Sequence, residues 1–440
     1  MEKTNVGIIG MGTVGTGVAK LLLDHGDRTA RHAGRTLWLK RAVVRDLTRD
    51  RGIVLPAGVL TDDVDAVIDD PEISVVAQLI GGTDTARDVM LRLMKSGKDI
   101  VTANKALLAT HGPELFDAAR SMGRSIAFEA AVAGGIPIIA NLSQCLAANG
   151  IQSLTGILNG TSNFIVSAMD ADGSPYADVV AEAQRLGYAE ADPAMDVDGT
   201  DAAQKLAILA HLAFGAAADW RQIPRVGIDG LSPLEFAFAR KLGYRIKLLA
   251  TAELADDGLE LSVMPTLCKI GTPLAEVQGA FNAVHVVGDA VGPVFYHGLG
   301  AGQMPTASAV TADLIDTAVG RTPITFRTLE YFNQSLAPRV KVRGADDVRS
   351  SSYYRMMVAD DPGTLAAIAG VFADHDISIA SVIQHTADVL PKDLQSDGRV
   401  PLVVMTHRAS EGASTAAVES IQSLSSVHGD VVRLGVRDVA

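Results

Sequence analysis

A glycine-rich loop near the amino end is the feature that most constrains the fold of this chain. The sequence GMGTVG places three glycines in a G-x-G-x-x-G pattern, directly after the apolar run VGIIG and before a helical pattern that reaches Leu23. In this pattern the first glycine permits a tight turn, the second lets a pyrophosphate approach the backbone, and the third lets helix and strand pack closely. A glycine turn without a ligand is the alternative, but the strand–loop–helix context predicts dinucleotide binding at the helix start. The predicted cofactor contacts are Gly10, Gly12, Thr13, Val14 and Gly15.

Five apolar runs alternate with helical stretches over the first 130 residues. Strands spaced by helices in this way predict a parallel sheet with crossover helices, so residues 1–135 are expected to form a Rossmann-like α/β domain. The runs are VGIIG (6–10), LWLKRAVV (37–44), VVAQLI (75–80), DIVTA (99–103) and SIAFEAAV (125–132).

The end of the second predicted strand bears on the choice of dinucleotide. An acidic residue at this place binds the ribose 2′-hydroxyl of NAD, whereas an arginine pairs with the 2′-phosphate of NADP. Here Arg45 comes first and Asp46 second, with Arg49 and Arg51 beyond them. This order favours NADP through Arg45. NAD, or a solvated charged loop that binds no nucleotide, is the alternative.

Two further loops follow predicted strands of the same sheet, at the carboxyl ends where open α/β sheets bind ligands. They are GGT (81–83) and TANKA (102–106), and they supply Gly82, Thr83 and Lys105 as predicted cofactor contacts. A lysine at the start of a helix is unfavourable for the helix dipole. We therefore expect Lys105 to lie beside the nicotinamide end of the cofactor; a surface lysine is the alternative.

The rest of the chain divides into further predicted regions. Residues 136–338 predict an α+β substrate and dimerisation domain, from which a segment near 300–325 returns to complete the first domain. The polar, charged residues 339–352 predict a linker. Residues 353–440 show the order βαββαβ, which is typical of a ferredoxin-like unit. In the middle region, the predicted helices are 138–148, 176–186, 201–214 and 234–250, and the strand-like runs are 154–160 and 259–268.

Composition narrows the class of protein. A chain of 440 residues is expected to form two or three domains. Its net charge of −13 argues against nucleic acid as a partner, because phosphate binding needs a basic face. Two cysteines, Cys145 and Cys268, do not indicate a disulfide framework and favour a reducing cytoplasm. No signal-peptide pattern and no run of 18 apolar residues is seen, so we expect no membrane span.

The segment RLGYAEADPAMDVDGTDAAQK (185–205) is rich in carboxylates and ends in a lysine. Asp201 and Lys205 are four residues apart on a predicted helix whose apolar continuation suggests that their shared face is buried. A buried pair is costly unless it has a function. A lysine can donate a proton to a carbonyl oxygen during hydride transfer, and Glu190 and Asp201 could bind a substrate ammonium group. The alternative is a solvated acidic loop with a surface ion pair worth about 0.3–0.5 kcal/mol.

At this point the motifs match a known family. The chain resembles homoserine dehydrogenase in its form with a C-terminal ACT domain, over essentially its whole length. The motifs are GMGTVG, TANKALLA (102–109), EAAVAGGIP (129–137), LNGTSNFI (158–165), LGYAEADPAMDVDGTDAAQKL (186–206) and GLGAGQMPTASAV (298–310).

The resemblance implies reduction of aspartate 4-semialdehyde to homoserine with NAD(P)H, a step towards threonine, isoleucine and methionine. It implies Lys205 as the proton donor to the carbonyl oxygen and Lys105 as a second essential lysine, and the two could exchange roles. Glu190 and Asp201 are the implied substrate carboxylates. Further implied contacts are Gly302 to the cofactor, and Gly187, Asn159, Gly160 and Thr161 near the substrate.

The motif EAAVAGGIP is similar to the monovalent cation site of this family. The resemblance implies sodium bound by Glu129 and by the backbone carbonyls of Val132, Gly134 and Ile136. Ligation by oxygen alone is reasonable for a hard, singly charged ion. A glycine turn between domains is the alternative, and the sequence leaves open whether the ion would be structural or catalytic.

The segment DDPGTLAAIAGVFADHDISIASVIQ (360–384) closely resembles an ACT domain. The turn at Asp361, Pro362 and Gly363 is where such domains often bind an amino acid, and the implied effector is threonine at the helix N-terminus. A domain kept only for assembly is the alternative. ACT domains commonly pair edge to edge, so a homodimer or homotetramer is expected. Another amino-acid dehydrogenase, or a non-enzymatic sensor of nucleotide and amino acid, would leave the acid–lysine cluster unexplained.

Overall fold

The structure is a computed structural model that describes residues 2–329, 333, 340–384 and 399–437. The predicted boundary between substrate domain and linker, at residues 338 and 339, lies outside the described residues. Among the described helices, none combines the length and the apolar character needed to span a bilayer. Contacts divide the chain into two compact units: Met1–Gln152 with Gln204–Trp220 and Asn282–Lys341, and Ser153–Ala203 with Arg221–Phe281 and Val342–Ala440.

The first part of the chain alternates strands and helices as the sequence predicts. The last strand of this part is short, because a 3₁₀ turn at Glu129–Ala131 follows it where the sequence predicts continued strand. The elements are β1 (Lys3–Ile9), α1 (Thr13–Asp24), α2 (Gly26–Ala33), β2 (Thr36–Val43), β3 (Leu60–Thr61), α3 (Asp65–Ile68), β4 (Ile73–Gln78), α4 (Asp84–Lys95), β5 (Asp99–Thr102), α5 (Lys105–Ser121), β6 (Ile126–Ala127) and α6 (Ile138–Ala140).

These six strands form one parallel sheet in the order β3-β2-β1-β4-β5-β6. The order reverses at β1, so the carboxyl ends of β1 and β4 flank the crevice where such sheets bind ligands. Val6 and Ile8 of β1 and Ala77 of β4 are fully buried, and Val75 of β4 is almost fully buried. The Rossmann-like domain predicted from the sequence is confirmed.

The middle of the chain combines helices with longer strands. A π-helical turn, Asn141–Cys145, follows α6, and a 3₁₀ turn lies at Trp220–Gln222. The elements are β7 (Ile151–Ile157), α7 (Gly160–Asp172), α8 (Tyr176–Arg185), α9 (Ala194–Val197), α10 (Thr200–Phe214), α11 (Pro233–Lys241), β8 (Tyr244–Ala255), β9 (Gly258–Lys269), β10 (Phe281–Gly288), β11 (Gly292–Leu299), α12 (Gln303–Ala318) and α13 (Arg321–Thr328).

Helix α12 belongs to the first unit and packs against α1. Ala307, Val310 and Leu314 lie in the same hydrophobic core as the strands of the parallel sheet. A Cβ atom on Gly17 of α1 would lie 2.9 Å from the Cβ of Ala307, so a glycine is needed for this close approach. The chain thus returns to the dinucleotide-binding fold through α12.

One predicted helix is wrong over its second half. The sequence suggested helix over 234–250, but α11 ends at Lys241 and residues 244–255 form β8, which pairs with β9 along its whole length. Gly243 adopts φ +84°, a left-handed conformation that ends the helix. The run IKLLATAEL is short and apolar, and such a run does not distinguish helix from strand by periodicity alone. Pairing with β9 decides the outcome.

The last part of the chain has the predicted βαββαβ order. Buried apolar side chains of its sheet and two helices, including Tyr354, Ile368, Phe372 and Ile421, form a core of their own. A 3₁₀ turn at Ala345–Asp347 precedes it. The elements are β12 (Arg349–Ala359), α14 (Thr364–Asp374), β13 (Ile379–Gln384), β14 (Arg399–Thr406), β15 (Ala409–Ser410), α15 (Glu411–Gln422) and β16 (Val427–Arg437).

This last domain joins the β8–β9 hairpin within the second unit. The end of β16, Gly435–Arg437, pairs in parallel with Thr266–Cys268 of β9. A buried ion pair supports the junction: Arg355 of β12 donates from Nε to Oε1 of Glu235 at 2.6 Å. The other oxygen of Glu235 accepts from the N–H of Ser232, which completes the capping box of α11.

Candidate active site

The glycine loop between β1 and α1 has the geometry that the motif requires. Gly10 adopts φ +102°, and a Cβ there would lie 2.9 Å from the side chain of Ile80. A Cβ on Gly15 would lie 2.0 Å from the carbonyl oxygen of Gly10, so any other residue would disrupt the loop. A Cβ on Gly12 would meet no atom of the described residues within 4 Å. The space over Gly12 is therefore open to a ligand.

The start of α1 adds unpaired N–H groups to this open space. Gly12 is the N-cap, no side chain caps the helix, and its first turn contains no acidic residue. Thr13 is exposed and Val14 is half-buried. A helix start of this kind binds phosphate oxygens. The residues present therefore fit a dinucleotide pyrophosphate.

The neighbouring loops after β4 and β5 are joined by a network around Asn104. Its Nδ2 donates to the carbonyl oxygens of Ile80 (3.1 Å) and Gly82 (2.7 Å), while its Oδ1 caps α5 by accepting from Leu107 N–H. Behind it, the Thr102 hydroxyl donates to the buried Gln78 amide at 2.8 Å. This network fixes the GGT loop against the start of α5.

Lys105 is the first residue of α5, directly after this network, and its side chain is half-buried. Thr83, the N-cap of α4, is half-buried and Gly82 is exposed. The structure therefore brings Gly82, Thr83 and Lys105 to the carboxyl edge of the parallel sheet, beside the loop that follows β1.

The two candidate ribose ligands in the loop after β2 differ in how available their side chains are. Oδ1 of Asp46 accepts from both the N–H and the hydroxyl of Thr48, at 2.8 and 2.7 Å. These hydrogen bonds lower the pKa of the Asp46 carboxyl. Arg45 is exposed, and no hydrogen bond or ion pair of its side chain is found within the described residues. Arg45 is thus the side chain available to a ligand, while Asp46 stabilises its own loop.

Two of the predicted substrate residues in the second unit, Asn159 and Asp201, are in direct contact, and Asp196 joins them. Asn159 is 5% exposed and is the N-cap of α7. Its Nδ2 donates to Oδ1 of Asp196 at 2.7 Å and to Oδ2 of Asp201 at 2.9 Å. The carboxylates of α9 and α10 are therefore held together by one amide at the start of a third helix.

The segment with Gly187 and Glu190 is attached to the same helix. The Thr161 hydroxyl donates to the carbonyl oxygen of Tyr188 at 2.7 Å, and the Tyr188 ring lies 4.8 Å from that of Phe164. Gly187 has φ +78°, which reverses the chain after α8. Gly187 and Glu190 are both exposed.

Helix α10 contains both residues of the predicted acid–lysine pair. Asp201 is 2% exposed and Lys205 is 8% exposed, and the next five residues of the helix are almost completely buried. The expectation that this face of the helix is buried is therefore confirmed. Asp201 lies in the first turn, where the helix dipole favours a negative charge.

Comparison with known proteins identifies the family. Residues 137–315 match "Homoserine dehydrogenase", residues 10–129 match "Homoserine dehydrogenase, NAD binding domain", and residues 355–422 match "ACT domain". The homoserine dehydrogenase of Pseudomonas aeruginosa is 42% identical over 443 residues, covering 100% of both chains. The chain belongs to the homoserine dehydrogenase family. Members of this family are NAD(P)-dependent oxidoreductases that act on a CH–OH group.

Solved structures of homoserine dehydrogenases share the fold over all or most of the chain. A structure from Thiobacillus denitrificans superposes with a TM-score of 0.91 at 43% identity, covering 100% of this chain and 99% of the other. A hyperthermophilic archaeal homoserine dehydrogenase in complex with NADPH has a TM-score of 0.61 at 25% identity, covering 72% of this chain and 98% of the other. The nicotinamide cofactor predicted from the glycine loop fits the family.

In the first unit, Glu129 lies in a closely packed loop. Its two carboxylate oxygens accept from the N–H groups of Ile139 (2.9 Å) and Ala140 (2.8 Å). Burial raises the pKa of Glu129 to about 7. Its own N–H donates to Asp313 at 2.9 Å. The carboxylate therefore caps the start of α6.

The other predicted cation ligands follow in the same loop. Val132 is fully buried, Gly134 donates its N–H to the carbonyl oxygen of Gly300 at 2.9 Å, and the Ile136 carbonyl accepts from Ile138 N–H at 2.7 Å. Among the described residues, no three His, Cys, Asp or Glu side chains converge as a metal site. The predicted sodium site has one carboxylate and three backbone carbonyls, so it is not a cluster of three such side chains.

Gly302 and the ACT turn each occupy a helix start. Gly302, with φ +118°, is the N-cap of α12, and no side chain caps that helix. Gly363, with φ +97°, is the N-cap of α14, again without a side-chain cap. Asp361, Pro362 and Gly363 are all exposed. Both glycines thus leave backbone N–H groups available.

Sequence reasoning did not assign several residues that organise the site. Asp196 is one of several acids in its segment, and the motifs give Asn104, Gln78 and Ser162 no role. For Asn104 the available signal is its place before a predicted helix, because Asn is a preferred N-cap. Asn159 falls in the strand-like run 154–160, where the structure instead begins α7. The contacts of Asn104 with Gly82 and of Asn159 with Asp196 and Asp201 span 22 to 42 residues and have no signal in the local sequence. Both cysteines are free, as the sequence suggested.

Proposed function

We propose that this chain catalyses the reversible NAD(P)H-dependent reduction of L-aspartate 4-semialdehyde to L-homoserine, on the way to threonine, methionine and isoleucine. The observation that supports it best is the buried Asp201 and Lys205 on α10, with the Asp201 carboxylate held by Asn159. A buried carboxylate held by a neutral amide suits an α-ammonium group, and a lysine on the same helix suits proton transfer.

The proposed roles follow the chemistry of carbonyl reduction. The nicotinamide, when bound, supplies the hydride that adds to the carbonyl carbon. Lys205 donates the proton to the carbonyl oxygen, and Lys105 is the second lysine that stabilises the developing charge. Glu190 and Asp201 bind the substrate ammonium, with Gly187, Gly160 and Thr161 shaping the adjacent backbone.

For the cofactor we propose NADP rather than NAD. The exposed Arg45 side chain is available for a 2′-phosphate, while the Asp46 carboxylate already accepts two hydrogen bonds from Thr48. Gly12 and the start of α1 would hold the pyrophosphate, and Gly302 would contribute an N–H at the start of α12. The GGT loop and Lys105 would border the nicotinamide.

We further propose that Glu129 and the carbonyls of Val132, Gly134 and Ile136 bind sodium. A cation would stabilise the ionised form of Glu129, whose burial otherwise disfavours charge. For the ACT domain we propose threonine as effector at Asp361, Pro362 and Gly363. The outermost strand β13 has mostly exposed side chains and is suited to edge-to-edge pairing in a homodimer or homotetramer. Two free cysteines fit a cytoplasmic location.

The test follows absorbance at the NADPH band with aspartate semialdehyde, then repeats it with NADH and with added threonine. Rapid oxidation with NADPH supports the reaction, and a high ratio of NADPH to NADH turnover supports the choice of NADP. Inhibition by threonine supports the effector. Failure to oxidise either cofactor, by folded protein in sodium or potassium buffer, would overturn the enzymatic assignment.

A further inference from the structure

We infer that Asn159 is a positioning residue that sets the spacing of the Asp196 and Asp201 carboxylates and does not itself contact the substrate. This inference rests on the proposed function, because Asp201 is one of the two carboxylates proposed to bind the ammonium group. Its basis is that protein groups occupy every hydrogen-bonding position of the Asn159 side chain.

A side-chain amide has two N–H donors and one oxygen with two lone pairs. Oδ1 of Asn159 accepts from the N–H of Ser162 at 2.8 Å and from its hydroxyl at 2.9 Å. The two Nδ2 hydrogens go to Asp196 and Asp201. All four positions are occupied, and the residue is buried. No capacity remains for a substrate group.

The orientation of this amide is fixed by its surroundings. The backbone N–H of Ser162 can only donate, so the atom facing it must be the amide oxygen. The nitrogen therefore faces the two carboxylates, which can accept both of its hydrogens. Asn159 is itself held as the N-cap of α7, so the amide that contacts both carboxylates is attached to a 13-residue helix.

A neutral donor is the suitable chemistry for this position. Two carboxylates within reach of one nitrogen repel each other. An amide hydrogen-bonds to both without adding a positive charge of its own, so it does not compete with the substrate ammonium. A lysine or arginine here would cancel the negative charge that attracts the substrate. Asn159 thus preorganises a doubly acidic receptor.

Two variants of Asn159 remove its contacts with the carboxylates but keep an N-cap for α7. Asn159→Ser keeps a good N-cap for α7 but removes both amide donors. Asn159→Asp keeps the cap and the shape but replaces the donors with a third carboxylate. We expect the KM for aspartate semialdehyde to rise by about 10- to 100-fold in each variant, from the loss of two charge-assisted hydrogen bonds. The Kd for NADPH, measured by fluorescence, should change less than twofold.

The pH profile distinguishes positioning from a merely structural effect. In Asn159→Asp, a protonated carboxyl can donate to one neighbour, so activity relative to wild type should recover as the pH is lowered towards 6. Asn159→Ser has no titrating group and should show no such recovery. Ser162→Ala is the matched control: it removes one donor to Oδ1, leaves both carboxylate contacts, and should alter KM less than about threefold.

The outcomes separate this inference from the proposed function. Wild-type protein without turnover would overturn the proposed function itself. An active wild type with unchanged KM in both Asn159 variants would overturn the positioning role alone. An equal rise in KM at every pH for both variants, together with an equal rise in the NADPH Kd, would assign Asn159 a structural role only.

Discussion

The cofactor side and the substrate side of this molecule are built from different chemical groups. Around the loop after β1, the decisive atoms belong to the backbone: Gly12 leaves space, Gly15 avoids the Gly10 carbonyl, and the helix start supplies N–H groups. Around α7, the decisive atoms belong to side chains, with Asn159 joined to two carboxylates. In the proposed function, phosphate recognition needs open space over the backbone, whereas ammonium recognition needs side chains that their neighbours hold in place.

The two lysines show the same contrast. Lys105 is half-buried at the first position of α5, next to a loop that Asn104 fixes through backbone carbonyls. Lys205 is buried inside α10, one turn after Asp201. Burial of a lysine is costly and is therefore informative about function. This difference is why we assign the proton transfer to Lys205 and the supporting role to Lys105.

The largest expected effect comes from Lys205→Ala, which removes the proposed proton donor. We expect kcat to fall by about 10²- to 10⁴-fold, the usual contribution of general acid catalysis. The Kd for NADPH should stay within about threefold, because the change is on the substrate side. Stopped-flow and steady-state kinetics measure the first quantity and fluorescence titration the second. Lys95→Ala, an exposed lysine of α4, is the control. A Lys205→Ala enzyme with near wild-type kcat would contradict the assignment.

A pair of glycine variants tests the backbone character of the cofactor side. Gly15→Ala places a Cβ 2.0 Å from the Gly10 carbonyl. We expect it to cost about 1–3 kcal/mol of stability and to abolish NADPH binding. Gly12→Ala meets no atom of the described residues and Gly12 has φ −77°, so its Tm should match wild type. Its KM for NADPH should nevertheless rise, because the methyl group occupies pyrophosphate space. Equal Tm values for both variants would contradict this account.

A buried lysine that does not belong to the proposed catalytic pair gives a pH test within the second unit. Lys247 is 1% exposed, donates to the Val277 carbonyl, and lies 3.4 Å from Oδ1 of Asn163, one turn after Asn159. Burial lowers its pKa from 10.5 to about 8. The unfolded chain therefore binds this proton more tightly between those values.

The sign of the pH effect follows from that difference. The stability contributed by Lys247 is lowest below pH 8 and rises as the pH increases towards 10.5, by roughly 3 kcal/mol in total. Lys247→Met should remove this rise. Urea unfolding of both proteins at pH 7.5 and pH 10 gives the free energies of unfolding. If the two proteins show the same change between these pH values, Lys247 is not buried as a titrating group.

The smallest expected effect concerns the choice of cofactor. Arg45→Ala should raise the KM for NADPH by about 5- to 10-fold and leave that for NADH nearly unchanged, because an exposed ion pair with a phosphate contributes only about 1 kcal/mol. Arg49→Ala, an exposed arginine of the same loop, is the matched control. If both arginine variants change the ratio of NADPH to NADH turnover equally, the general charge of the loop decides the preference and Arg45 has no special role.

Much of the fold could be predicted from local sequence. The glycine pattern, the alternation of strands and helices, and the βαββαβ order of the last domain all follow from short-range periodicity and from glycine's conformational freedom. The motifs also made Lys205, Asp201 and Glu190 candidate site residues, because residues four apart share a helix face and acidic residues cluster in one segment, and these roles stay predictions. The helix predicted over 234–250 failed where a strand pair, not local propensity, determined the conformation.

By itself, the sequence determined the dinucleotide-binding fold and which helix contains Asp201 and Lys205, since both depend on groups within a few residues of each other. Only the tertiary structure decided how the Asp196 and Asp201 carboxylates are held. Asn159 meets Asp196 and Asp201 across 37 and 42 residues of chain, and Asn104 reaches back 22 residues to Gly82. Such contacts depend on how the starts of α7, α9 and α10, and the ends of β4 and β5, pack together. Hydrogen bonds between distant residues leave no periodic pattern in the sequence.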